Sequence, residues 1–100
     1  MWVRTTKAQT QPGQVDEFVR RWREHVAPRV SEMSGLRSVY LCGNRDANSV
    51  VTIHLWDTLP DHASHEIHNR LRFRDQVRDI LASGEPVAEE YEVLAWNERT

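Results

Sequence analysis

Cysteine is nearly absent. Cys42 is the only one in 100 residues, which excludes an internal disulfide and any cysteine-built zinc framework. No long apolar run occurs, so nothing in the chain reads as a membrane span and no membrane partner is expected. The opening residues, MWVRTTKAQTQ, lack the apolar core of a signal peptide, and the expected location is the cytoplasm. An excess of one charge is missing too: 13 Lys and Arg stand against 15 Asp and Glu. That balance argues against nucleic acid as a partner, because such binders concentrate positive charge. No repeat, linker or low-complexity tract divides the chain, and 100 residues predict one domain over 1–100.

What is present is a hydrophilic chain, with a mean hydropathy of −0.67. A domain of this size buries only about 60–65% of its unfolded surface, so apolar surface shared with a second copy would help it. A homo-oligomer is expected.

Residues 2–10, WVRTTKAQT, are rich in valine, threonine and tryptophan and predict a strand, broken by QPGQ. Val15, Phe18, Val19, Trp22, Val26 and Val30 then form one helical stripe, which Pro28 ends or kinks. A second strand is predicted within 34–44, started by Gly35, and a third over 49–58, joined through the turn cluster RDAN. Thr58 is a plausible N-cap, with Pro60 in the first turn of a helical region running to about Ala82. Phe73, Val77, Ile80 and Leu81 are its expected inward residues, and EEYEVLAW, 89–96, is the expected last strand. The order β-α-β-β-α-β predicts an α+β, ferredoxin-like antiparallel sheet with both helices on one face. The third strand, however, carries apolar groups on both sides: Val50 and Trp56 on one, Val51, Ile53 and Leu55 on the other. The uncovered face predicts a homodimer formed through sheet faces.

The segments PGQVDEFVRRWREHV, SGLRSVYL, VTIHLWDTLPDHASHEIHN, FRDQVRDIL and EEYEVLAW together resemble the antibiotic biosynthesis monooxygenase superfamily. The best local marker is Trp56 at the end of the third strand, followed by an acidic-hydroxyl step and a helix carrying His65. The resemblance implies a dimeric α+β barrel with a pocket between helices and sheet. It also implies a cofactor-independent monooxygenase acting with O2 on a small aromatic, quinol or polyketide-like substrate. Other relatives bind and degrade heme, and some have no known reaction, so a binding module for heme or another hydrophobic ligand is the alternative. The heme-degrading pattern needs an asparagine in the first strand and a histidine well along the second helical region. Neither WVRTTKAQT nor NRLRFRDQVRDIL supplies one.

Three histidines, His62, His65 and His68, stand at three-residue spacing. On a helix His62 and His68 lie about 120° apart, so they cannot grip one ion without help, whereas His62 with His65, or His65 with His68, could, with Glu66 able to join. The favoured reading is a solvated helix face with one useful histidine, His65, and no metal site. His54 and Trp56 share a strand face. His54 is a candidate proton acceptor because imidazole titrates near neutrality, and Trp56 a candidate stacking surface for an aromatic substrate. The competing reading makes both of them packing residues. Tyr40 is a candidate hydrogen-bond donor to substrate, whereas Trp22 and Cys42 read as core. Arg70, Arg74 and Arg78 form a basic stripe, self-paired through contacts such as Asp75 with Arg78. One of them turned inward, with Arg74 as the candidate, would hold a carboxylate or phenolate.

Overall fold

A computed structural model describes residues 1–58, 73–82, 84 and 86–99. Strand β1, Trp2–Gln9, leads to helix α1, Val15–His25, and a 3-10 turn over Ala27–Glu32. Strands β2, Leu36–Asn44, and β3, Ser49–Trp56, follow as a hairpin. A short helix α2, Phe73–Val77, runs into a 3-10 turn at Arg78–Ile80, and strand β4, Val87–Glu92, comes last. The sheet order is β2-β3-β1-β4, with every neighbouring pair antiparallel. This is the ferredoxin-like α+β arrangement that the element order predicts. No helix among the described residues is long and apolar enough to cross a membrane.

The boundaries follow from local chemistry. Helix α1 stops at His25, three residues short of Pro28, whose ring cannot occupy a helix interior without striking the carbonyl one turn back. Pro28 sits instead in the first turn of the 3-10 segment. Asp16 and Glu17 at the start of α1, with Arg23 and His25 at its end, match the helix dipole. Gly43 marks a close approach: a Cβ there would lie 3.1 Å from Val15 Cγ1, so α1 comes down onto β2 only where a side chain is absent.

The last strand departs from expectation. It begins at Val87 rather than 89 and ends at Glu92 rather than 96. The reason is its partner: Val87 pairs with Lys7 and Glu92 with Trp2, and Val93 donates its N–H to the Met1 carbonyl. The pairing of the two strands ends there. The predicted third strand is shortened similarly, because Asp57 N–H turns away to the Gly35 carbonyl.

Val15, Phe18, Val50, Val77 and Ile80 form the buried core, with Ala8, Trp22, Leu41, Phe73 and Leu81 packed around them. Phe18 meets Phe73 edge-on at 5.2 Å between ring centres, which joins α1 to α2. The helix-facing side of the sheet therefore holds the core. The opposite side carries Val3, Tyr40, Val51, Ile53, Leu55 and Tyr91, by the alternation of the paired strands. Cys42 lies on that outer side and is exposed, not the buried small residue its sequence context predicts.

Because Phe18 contacts both the sheet residues and Phe73, Phe18→Ala is expected to lower stability by about 3 kcal/mol or more. Urea unfolding followed by circular dichroism measures it, and an unchanged midpoint would remove Phe18 from the core.

Candidate functional site

The register of β1 against β3 arranges the sheet floor in rows. Ala8 faces Val50, Thr6 faces Thr52, Arg4 faces His54, and Trp2 faces Trp56. Side chains directly opposite each other in an antiparallel pair are neighbours about 5 Å apart. The floor thus passes from apolar core, through two hydroxyls, to a charged row and then an aromatic one. Core packing fills only the first part.

Over the polar rows lies a cavity of about 530 Å3. Its apolar walls include Phe18, Trp22 and Val26 from α1, and Phe73 and Val77 from α2. Its floor includes Thr6, Thr52, Arg4 and His54, and its rim Arg74, Asp75 and Arg78. An apolar chamber of this size with a few convergent polar groups is the usual form of a small-molecule site.

His54 is 5% exposed and lines this cavity from the floor. Trp56 is 1% exposed and does not line it. The Trp56 ring instead lies nearly parallel to His54, at 14° and 6.2 Å between centres. The stacking surface expected of Trp56 therefore serves the imidazole. Trp22, which its helical stripe marks as core, supplies aromatic wall to the cavity. Tyr40 is 61% exposed on the outer side of the sheet, because β2 places it opposite Ile53 rather than His54. It does not join His54. Arg74 is an exposed rim residue of the cavity. His65, with His62, His68, Arg70 and Arg72, lies outside the described residues. Among the described residues, no group of three or more His, Cys, Asp or Glu side chains is placed to hold a metal ion.

Arg4 and Glu90 are the site residues that sequence patterning did not single out. Glu90 on β4 pairs opposite Arg4, and the two side chains approach to 4.0 Å. Together with His54 they make a row, Glu90–Arg4–His54, across three strands. The signal for Arg4 is its parity: it shares the inward side of Ala8 and Thr6 on a strand with neighbours on both sides.

The two helices that wall the cavity are tied by charge. Arg21 donates to Asp79 Oδ1 at 2.6 Å and to the Gln76 carbonyl at 2.8 Å, and also to Glu17 Oε1 at 2.9 Å. Glu17 in addition accepts from Arg20. Hydrogen bonds from Arg20 and then Arg21 hold the Glu17 carboxyl at about 2, and Arg21 lowers Asp79 likewise. At the rim, the expected pair of Asp75 with Arg78 forms at 2.7 Å.

The fold and pocket define a class, the ferredoxin-like α+β domains with a cavity between helices and sheet, and the comparisons give the family. The antibiotic biosynthesis monooxygenase family model matches residues 1–72, and the chain belongs to that family. No protein among curated sequences matches it. A monooxygenase of Streptomyces coelicolor, solved with the ligand nanaomycin D, superposes with a TM-score of 0.79 at 14% identity, over 99% of this chain and 92% of that one. A Nitrosomonas europaea protein, assigned by name only to the antibiotic biosynthesis monooxygenases, gives 0.75 at 20% identity, over 95% of this chain and all of that one. A second Nitrosomonas europaea protein, of unknown function, gives 0.68 at 16% identity, over 99% of this chain and 94% of that one. At such identities the likenesses establish the fold.

A carboxylate held well below its ordinary value stabilises the fold above that value and ceases to do so as it protonates. Glu17, lowered from 4.5 to about 2, is therefore fully effective above pH 4.5, and its contribution is lost as pH falls toward 2. The difference in urea midpoint between wild type and Glu17→Gln should be level from about pH 5 to 7 and shrink below 4.5. A difference independent of pH would show that the Glu17 carboxylate, paired with Arg20 and Arg21 of its own helix, does not stabilise the fold.

Proposed function

We propose that the protein is a cofactor-independent monooxygenase of the cytoplasm, acting with O2 on a small hydroxylated aromatic, quinol or polyketide-like substrate. The observation that carries the reading is a buried histidine on the floor of an aromatic-walled cavity of about 530 Å3. Family membership supports the reaction type. Phe18, Trp22 and Phe73 offer ring faces against which a flat substrate packs and displaces water. His54 takes the proton of an acidic C–H or phenol, leaving an electron-rich anion. That anion gives one electron to O2, and the resulting radical pair joins through a new C–O bond as a hydroperoxide. Loss of water from an anthrone-type hydroperoxide leaves a quinone. One substrate and one O2 give one quinone and one water, and every electron comes from the substrate.

The working unit in this proposal is a homodimer. The outer sheet side, with Tyr40, Val51, Ile53 and Leu55, is supported as the contact by its apolar character and by the burial a short chain needs from a second copy. Sedimentation velocity tests it: wild type should sediment as a dimer and Ile53→Asp as a folded monomer. A monomeric wild type would remove the interface.

The reaction is tested by oxygen uptake of metal-stripped protein with hydroquinones, anthrones and naphthols. Turnover should survive chelator and fall at least about 100-fold in His54→Gln, the scale of lost acid–base catalysis, with ligand affinity little changed. Ligand binding without uptake across the panel would make the pocket a binding module. Uptake undiminished in His54→Gln would take the proton transfer away from His54.

A further inference from the structure

The charged row on the cavity floor bears on what the pocket selects. Arg4 belongs to β1, an interior strand of the sheet, and points to the helix-covered side with Ala8 and Thr6. Packing alone favours an apolar residue at such a position, because a guanidinium taken from water there retains its charge and loses hydration. The Arg4 side chain is only 24% exposed. It lies directly across from buried His54, and the two side chains line the same cavity.

The other charges facing the cavity separate Arg4 from its two competitors. Arg78 is engaged with Asp75 at 2.7 Å, and Arg74 is an exposed residue of the rim. From β4, Glu90 stands 4.0 Å from the Arg4 guanidinium. The walls contributed by α1 are Phe18, Trp22 and Val26, which are uncharged. Glu90 steadies one side of a planar fork whose five N–H donors can serve more than one acceptor. A neutral oxygen takes only an ordinary hydrogen bond from this fork, whereas an anionic one takes a charge-assisted bond.

We propose that Arg4, steadied by Glu90, is the specificity residue of the pocket: it selects ligands bearing an anionic oxygen and holds that oxygen beside His54. The proposal rests on the pocket reading above and adds the charge of the ligand to it. A charge-assisted bond from guanidinium to carboxylate or phenolate is about twice as strong as its neutral counterpart, and the difference is larger away from water.

The test is calorimetric binding of 2-naphthoate and of its neutral near-isostere 2-naphthamide, without turnover. Wild type should bind the carboxylate at least about tenfold more tightly than the amide. In Arg4→Gln the ratio should fall to about one while the amide affinity changes less than about threefold. Arg4→Lys should restore part of the preference, and Arg74→Gln should leave it intact. Glu90→Gln keeps an acceptor beside Arg4 but removes a competing charge, so its ratio should rise. That variant, together with Arg4→Lys, carries the test if Arg4→Gln does not fold. Equal affinities in wild type, or a preference that survives in Arg4→Gln, would overturn the assignment and leave the pocket standing. Binding of neither compound would overturn the pocket and the assignment together.

Discussion

The pairing of β1 with β3 is the constraint on which everything else depends. Eight successive residues of each strand meet in register, from Trp2 with Trp56 to Gln9 with Ser49. Side chains alternate between faces with a period of two, so a slip of one residue would turn one strand over relative to the other. Arg4 or His54 would then face outward, and Val51 or Val3 would sit under the helices. What resists the slip is the apolar end: Ala8 and Val50 lie beneath Phe18 and Val77, and burial of those groups holds the register. The polar end is carried along by the same backbone. A charged row can persist on the covered side of the sheet because a well-packed row four residues along each strand pins it there.

The roof obeys a related logic. Phe18 and Phe73 are at once core residues and cavity walls, so the space between helices and sheet is set by the packing that stabilises the domain. Filling that space with side chains would add dispersion contacts, and leaving it open forgoes them. The Arg21 bridge to Asp79 and the Gln76 carbonyl holds α1 to the turn after α2 without occupying the volume between them. An exposed bridge contributes little to stability. Its effect is geometric, keeping two walls apart by a fixed amount.

Much of this is legible in the periodicity of the sequence. The stripe Val15, Phe18, Trp22 and Val26 defines α1, Pro28 marks its end, and the alternation in SVVTIHLW places His54 and Trp56 on one face. The rest depends on which strands become neighbours, and alternation within one strand does not report that. Tyr40 reads as a pocket residue until β2 is set beside β3, whose register puts it opposite Ile53 on the outer side. Trp56 shares a face with His54, yet sharing a face is not the same as facing the cavity, and its ring ends up behind the imidazole. Arg4 and Glu90 are far apart in the chain and meet only because β4 closes against β1. The last strand is bounded by the extent of its pairing with β1, which the residues of EEYEVLAW do not report.

Few side chains in this pocket carry obvious chemistry, and that economy fits a reaction in which the substrate supplies the electrons. A protein in that position has two tasks: to create an anion and to keep it where O2 can reach it but bulk water cannot. Aromatic walls meet the second, and they would serve a passive carrier equally well. The first needs a proton acceptor with a fixed orientation. The Trp56 ring stacked on His54 supplies such a constraint, since a parallel neighbour at 6.2 Å limits the tilt of the imidazole. The buried stack of Trp56 and His54, more than the cavity itself, is the feature on which the proposed proton transfer depends.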